Sequence, residues 1–273
     1  MSGKSPLIHP TAVVHPGARL APDVAVGPGC VIGEHVRVGP KTVFEANVFV
    51  GGWTEIGSDN RFFPGGVIGT EPQDVGYKGE PTKVVIGDRN VFREYVTVHR
   101  ATTKEELLTR IGDDNYFMAF SHVAHDCRVG DGTIFLHGAT LGGHVRVDDQ
   151  ALIGALSAVH QYCRVGRLSF MGGGSMVAQD VVPFCRVAGQ RPTRMLGLNS
   201  VGLRRNGFSR ERIAALKEMF RLLFFAGLNT SQALVRIEAE FPPSEDREEL
   251  ASFVRASKRG YVKKAGGWDS GSE

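Results

Sequence analysis

The chain has 273 residues, 32 Lys and Arg against 29 Asp and Glu, and a formal net charge of only +3. That balance argues against a nucleic-acid partner held by bulk electrostatics, and no stretch approaches the ~20 apolar residues of a transmembrane segment. The length suits one long domain with a small second one, and Pro10, His15 and Pro16 interrupt any signal-peptide core.

From Leu7 onward an apolar residue recurs at every sixth position, from Ile8, Val14 and Leu20 without a break to Ile68, and again from Ile111 to Val177. Neither a helix nor a half-buried strand has that period. A self-similar hexapeptide predicts a parallel β-helix, in which each repeat is one short strand and one turn. Three repeats close a triangular coil, so residues eighteen apart stack roughly 4.8 Å from each other. About ten coils are expected on this count. The residue after the inward one is often glycine (Gly27, Gly33, Gly39, Gly87), expected to supply backbone freedom and room at a corner. An ordinary β-sandwich with Gly-rich turns would not hold phase over so many repeats.

Three departures follow in chain order. Glu71 to Thr82, EPQDVGYKGEPT, reads as a loop; the repeat resumes at Ile86, eighteen residues after Ile68, so the loop is expected to take the length of one coil. Ile111 lies thirteen residues after Val98, which predicts one extra residue and a second bulge or loop over Ala101 to Arg110. Beyond Val187 the pattern turns helical. Ser209 is the expected N-cap of a helix carrying Ile213, Leu216, Met219, Phe220 and Leu223 and ended by Gly227. A second helix is expected from near Ser231, with Leu234, Ile237 and Phe241 on one face, broken by Pro242 and Pro243. A third spans Glu245 to Lys258, with Gly260 as its C-cap. The fold class is therefore an all-β solenoid plus α: β-helix over 1–198, a helical domain over 199–265, and a disordered tail over 266–273. Cys30, Cys127, Cys163 and Cys185 show no metal-ligand spacing and read as buried free thiols of a reducing cytoplasm.

His122, His125, His137, His144 and His160 fall within thirty-nine positions. The stacking rule places His125, Gly143 and Gln161 on one ladder, with His144 and His160 beside it and His137 off it. Histidine is the natural general base at neutral pH, and a glycine lets its N–H approach a developing oxyanion. Asp126 is adjacent and suited to orient the His125 ring, although neighbours on a strand point to opposite faces. No Ser or Cys is obviously partnered to a base. The strip therefore favours direct attack of a substrate hydroxyl on an activated acyl group.

At these residues the chain resembles a known family. His122-Val123-Ala124-His125-Asp126-Cys127, Gly142-Gly143-His144-Val145 and Ala158-Val159-His160-Gln161 are similar to motifs of the acyl-carrier-protein–UDP-N-acetylglucosamine O-acyltransferases of lipid A biosynthesis. Gln73-Asp74, Gly79-Glu80-Pro81-Thr82, Thr97-Val98-His99-Arg100, Val177-Ala178-Gln179-Asp180-Val181 and Gly202-Leu203-Arg204-Arg205 extend the match over nearly the whole chain.

The resemblance implies a left-handed coil, a homotrimer, and transfer of an (R)-3-hydroxyacyl group from acyl carrier protein to the 3-hydroxyl of UDP-N-acetylglucosamine. It implies no resident cofactor and no metal, since the acyl group arrives on the carrier's phosphopantetheine. By the same resemblance His125 is the base, Asp126 its support and the Gly143 N–H the oxyanion donor. Gln73 and Asp74 (from a neighbouring subunit's loop), His99, His122, His144, His160, Gln161, Asn199, Arg204 and Arg205 bind substrate. Arg204 and Arg205 are to meet the diphosphate. Gly173 gates the acyl groove, and its small size favours a long chain, although Met171, Met176 and Arg191 are placed to narrow it.

The chain also departs from the family. Gly76 stands where a lysine is common, with Lys78 as the nearest substitute, Asn206 ends a basic run usually one residue longer, and Val201 replaces a residue often acidic. These changes touch the nucleotide contacts and leave a 3-amino acceptor, with an amide product, as an alternative. The acidic carrier is expected to dock on Arg212, Lys217 and Arg221, with Arg255, Lys258 and Arg259. Two other readings are a γ-class carbonic anhydrase, whose paired histidines five apart are missing here, and a non-catalytic hexapeptide scaffold. The N-acyltransferase of the same pathway normally carries an extra N-terminal domain, for which hexads starting at Leu7 leave no space.

Overall fold

The computed structural model describes residues 7–263. Strands of two to five residues stack into three sheets of eleven, nine and eight strands, visited in turn by the chain. Every pairing among them is parallel apart from the last one of the first sheet. From Val26 onward the sixth-position residues point inward and are buried, so the prism is filled by its own repeat; on the first coil Ile8 is exposed and Val14 and Leu20 are half-buried.

The first sheet stacks Phe44, Phe62, Phe92, Phe117 and Phe135 in register on successive coils. Their rings lie 4.9, 4.6, 4.8 and 4.6 Å apart, a buried column that fixes which coil lies on which. A polar column runs up the corner between the third and first sheets. The N–H and Nδ2 of Asn90 donate to Asn60 Oδ1 at 2.9 and 3.0 Å, and the N–H of Asn115 donates to Asn90 Oδ1 at 2.9 Å. These side chains satisfy turn amides that the strands cannot reach.

The eighteen-residue rule holds except at the two insertions. Ile86 pairs with Ile56, and Val98 with Ile68, so the segment 71–82 is not a coil of its own. It leaves between a strand of the second sheet and one of the third, adding twelve residues to a single coil. Likewise Ile111 stacks on Ile86, twenty-five residues earlier, so the second loop adds seven residues where one was expected. An apolar period alone does not tell a full coil from one repeat plus twelve loop residues.

Apart from Gly69, whose φ is +75°, the glycines after the inward positions supply room rather than backbone freedom. A Cβ on Gly27 would lie 1.4 Å from Glu45 O, and one on Gly87 2.0 Å from Asp113 Oδ1, both on the next coil. The left-handed backbone falls instead on turn residues such as Lys41, Asp59 and Asp114.

Strand Cys185–Ala188 forms the last parallel rung, and Arg194–Leu198 folds back on it as an antiparallel hairpin absent from the hexad reading. Four helices follow: α1 (Ser200–Arg205), α2 (Arg210–Phe224), α3 (Thr230–Glu240) and α4 (Glu245–Arg255). Ser209 caps α2 as expected, and Gly227, φ +70°, lies in the turn beyond its end. Asn229 caps α3 in a capping box with Gln232. α4 stops at Arg255 with Ala256 as C-cap, so Gly260 does not cap it. The left-handed Gly260 instead turns its carbonyl to the N–H of Asp180 at 2.9 Å. Leu216, Met219, Phe220, Ile237 and Leu250 bury the facing sides of α2, α3 and α4. Arg167 fastens α4 to the prism through Glu249. The expected tail over 266–273 lies outside the described residues, among which no helix is long and apolar enough to cross a membrane.

Candidate active site

His99, His122, His125, His144 and His160 gather at the corner between the second and third sheets, while His137 packs on Phe120 at the corner between the first and second. His122–Val123 ends a rung of the second sheet and Arg128–Val129 begins one of the third, leaving residues 124–127 as the turn. The N–H of His144 donates to His125 O at 3.0 Å, and that of Tyr162 to Gly143 O at 3.1 Å. His125, Gly143 and Gln161 therefore stack as the spacing predicts.

His125 Nδ1 and Asp126 Oδ2 are 2.8 Å apart. Alternation does not separate them because both sit in the turn, where Asp126 has φ +60°. Asp126 is buried, and its Oδ2 also accepts the N–H and hydroxyl of Thr102 at 3.0 and 2.8 Å. Burial pushes its carboxyl up, but the bonds from His125 and Thr102 outweigh that and hold it below the ordinary carboxylate value. The His125 ring fills the space a side chain at 143 would need: a Cβ there would lie 2.4 Å from its Cε1. The Gly143 N–H has no protein acceptor among the described residues.

Other rings surround this pair. His144 is buried, stacks on Tyr162 at 4.4 Å and meets His125 edge-on at 5.2 Å. Its Nε2 lies 3.7 Å from Asp126 Oδ2 and its Nδ1 3.3 Å from Glu105 Oε1. His122 shares a 2.7 Å hydrogen bond with Thr97 Oγ1, and burial depresses its pKa to about 4. His99 lies edge-on to His122 at 5.1 Å and is likewise lowered by burial. Both are thus neutral at pH 7; His122 is bonded to Thr97, whereas the buried Nδ1 of His99 has no hydrogen-bond partner among the described residues. His160 and Gln161 are exposed, with His160 Nδ1 3.1 Å from Gln161 O. Cys127 is buried against Gly142 O, and desolvation pushes its thiol up to about 12, so it stays protonated and non-nucleophilic.

Asp74 reaches this corner within a single chain, where a neighbouring copy's loop was expected. Its carboxylate pairs with Lys104, not Lys78, and accepts the Gly76 N–H at 2.8 Å. The Lys104 bond, with the Gly76 N–H behind it, holds Asp74 below the ordinary carboxylate value. Gln73 is exposed on the same loop. Buried Arg100 ties that loop down, donating to Tyr77 Oη at 3.0 and 2.8 Å and to Gly69 O at 3.2 Å.

The second loop was expected, but the roles of its side chains were not. Thr102 holds Asp126, Lys104 holds Asp74, Glu105 faces His144, and Glu106 pairs with Arg128 of the next rung. The legible signal was a Lys104-Glu105-Glu106 charge run inside an apolar repeat.

Other expected site residues stand elsewhere in the chain. Asn199 caps α1 and donates to Leu168 O at 2.8 Å, at the corner between the third and first sheets. Arg204 and Arg205 are exposed on the last turn of α1. Gly173 lies at the corner between the first and second sheets, where a Cβ would come 3.3 Å from Ala155 O. Three of the basic residues assigned to carrier docking are committed internally: Arg212 to Asp246, Arg221 to Glu218 and Arg255 to Glu238. The donor atoms of His125, Asp126 and His144 lie within 4.8 Å of one another, the one such grouping among the described residues. Asp126 Oδ2 there is already bonded to His125 and Thr102, and metal analysis of the purified protein tests the zinc reading directly.

Taken together, the corner holds a base oriented by an ionised carboxylate, an amide donor beside it, and the neutral imidazoles of His99 and His122, which suits acyl transfer to a hydroxyl. Residues 180–262 match the family described as Udp N-acetylglucosamine O-acyltransferase, domain 2, and residues 5–40 and 108–143 match bacterial transferase hexapeptide repeats. An acyl-[acyl-carrier-protein]–UDP-N-acetylglucosamine O-acyltransferase of Stenotrophomonas maltophilia is 44% identical over 259 residues, covering 95% of this chain and 98% of its own. One from Verminephrobacter eiseniae is 48% identical over 260 residues, covering 94% and 99%. The solved structure of LpxA from Acinetobacter baumannii superposes with a TM-score of 0.92 at 39% identity, covering 94% of this chain and 100% of that one.

Proposed function

Because the chain belongs to the acyl-[acyl-carrier-protein]–UDP-N-acetylglucosamine O-acyltransferase family, and so is an acyltransferase, we propose that it moves an (R)-3-hydroxyacyl group from acyl carrier protein to the 3-hydroxyl of UDP-N-acetylglucosamine, opening lipid A biosynthesis. The observation that carries this reading is the His125–Asp126 pair seated against Gly143.

An ionised Asp126 accepts only, so His125 Nδ1 must donate and Nε2 presents its lone pair. Nε2 takes the proton of the sugar hydroxyl as that oxygen attacks the thioester carbon. The tetrahedral oxyanion is received by the Gly143 N–H. Its collapse breaks the C–S bond, and the departing pantetheine thiolate takes the proton back from the imidazolium. No acyl-enzyme forms, in keeping with protonated Cys127.

Asp74, His99, His122, His144, His160 and Gln161 hold the sugar around the base, with Gln73 at the loop's rim. Asn199, Arg204 and Arg205 lie at another corner of the prism, so this reading takes them from the neighbouring protomer of a homotrimer, where the arginines meet the diphosphate. Gly173 borders a groove for a long acyl chain. The coil winds left-handed, and the solenoid gives way to the helical domain between 198 and 199, a division supported by Asn199 capping the first helix. The acyl group comes on the carrier, so no resident cofactor enters the reaction. Four buried thiols fit a cytoplasmic setting.

The test is a mass-spectrometric assay of UDP-N-acetylglucosamine with a mixture of 3-hydroxyacyl carrier proteins, comparing wild type with His125→Ala. The expected result is a gain of one hydroxyacyl group that drops by ~10²–10⁴-fold in the variant. Product only with the 3-amino sugar nucleotide would favour the amide alternative. No product with either acceptor at any chain length would sink the reading.

A further inference from the structure

On the third sheet, beside the histidine corner, Arg110, Arg128, Arg146 and Arg164 stand in register on successive coils. Like charges facing each other across strands repel, so a column of four needs compensation. Arg128 has it from Glu106. Arg164 is held in place otherwise: its guanidinium lies 3.8 Å over the Phe253 ring and donates to Phe253 O at 3.4 Å.

Arg146 and Arg164 line a cavity of about 340 Å³ with Lys258 and Arg259, which follow α4. His144 and Tyr162 form its other wall, so it opens onto the acid–base corner itself. None of the four cations has a carboxylate at ion-pair distance among the described residues. The two acids of the lining are engaged elsewhere. Asp180 accepts the Arg164 N–H and the Ser257 hydroxyl, both at 2.8 Å, and Glu105 faces His144. Cations without a direct ion-pair partner in a concave site, one already fixed by stacking, suit a dianionic ligand with several acceptor oxygens; Asp148, the acid that feels both Arg146 and Arg164, lies outside the lining.

We infer that this cavity is a phosphate-ester site serving the reaction. The inference rests on the acyl-transfer reading above, in which both substrates carry such a group: the diphosphate of the sugar nucleotide and the phosphate of the pantetheine arm. The site is separate from Arg204 and Arg205, and no motif of the sequence reading pointed to Arg146 or Arg164.

The experiment measures KM for each substrate in wild type, Arg146→Ala and Lys258→Ala, and repeats the donor series with two carrier-free donors, acyl-phosphopantetheine and the phosphate-free acyl-pantetheine. Loss of a charge-assisted bond to phosphate corresponds to roughly a tenfold or greater rise in KM. A rise shared by the carrier donor and acyl-phosphopantetheine, and vanishing with the phosphate-free donor, assigns the site to the pantetheine phosphate; a rise seen with the carrier donor alone is carrier docking and overturns the inference. A rise confined to the sugar nucleotide assigns it to the diphosphate. Unchanged KM for both, at unchanged melting temperature, overturns the inference. Calorimetric titration with inorganic pyrophosphate needs no activity, and comparing wild type with Arg146→Ala separates this cavity from Arg204 and Arg205. Wild-type binding that is competed by salt and weakened in Arg146→Ala is expected; no binding at millimolar pyrophosphate, or equal binding by the variant, counts against the site. If the variant binds pyrophosphate more weakly than wild type and wild type transfers nothing, the acyl-transfer reading fails and the anion site stands.

Discussion

At the scale of single residues, catalysis depends on how closely His125 lies on Gly143. Gly143→Ala places a methyl 2.4 Å from the ring, which must swing away from Asp126. A displacement of that size lowers kcat by about 10²-fold, while the coil, which uses no side chain at 143, keeps its melting temperature. Steady-state kinetics beside a thermal melt check this. Lys104 sits at one remove from the reacting atoms and acts by holding Asp74 ionised and turned to the corner. Lys104→Met is expected to raise KM for the sugar nucleotide several-fold with little change in kcat, and Lys104→Arg to restore it. Equal losses in kcat for both variants would mean that the lysine does something other than position Asp74. The His125–Gly143–Gln161 ladder was legible in the sequence because it needs only the period. The Lys104 contact was not, because it depends on where a loop side chain reaches across two coils.

At the scale of elements, the asparagine column shows how turns are pinned. Asn90→Ala removes its bonds to Asn60 Oδ1 and Gly112 O and leaves the Asn115 N–H without its acceptor. Each buried orphan costs about 1–3 kcal/mol, so a loss on the order of 3 kcal/mol in urea unfolding is expected. The inward series and α2 could be read from the chain, since both rest on local period and capping. The loop register could not, because Ile86 keeps the six-residue phase with Ile68 while stacking on Ile56. The hairpin Cys185–Ala188 with Arg194–Leu198 carries no repeat and gave no signal. Glycine's role at Gly27 was half read: its crowding comes from Glu45 of the next coil, which only the stacked structure reveals.

At the scale of the whole molecule, buried ionisable groups couple folding to pH. His122, depressed to about 4 from the ordinary 6.5, and His99, lowered in the same direction, bind fewer protons folded than unfolded. Stability is therefore lost as pH falls from about 6.5 toward 4. Asp126, held below the ordinary carboxylate value, keeps its contribution above that value and loses it as pH drops further. All three act in one direction, so the melting temperature is expected to fall steadily on the acid side. His122→Asn, which retains a polar partner for Thr97, should flatten the first part of that fall. An unchanged profile would mean that the imidazole is protonated in the folded chain.

The two insertions leave and rejoin the stack between neighbouring sheets, and the strands that follow them, Lys83–Ile86 and Leu108–Ile111, pair in unbroken register; the one irregularity beside them is a bulge between Ile68 and Thr70, where the first insertion departs. The scaffold thus separates two kinds of inheritance. The base, its carboxylate and the amide ride on rungs or turns whose geometry is dictated by the coil, whereas Asp74 and Lys104 ride on segments the coil merely tolerates. Segments 71–82 and 100–107 therefore form a paired cassette: transplanted together into a relative, they should carry acceptor preference with them, and transplanted singly they should part Asp74 from its lysine.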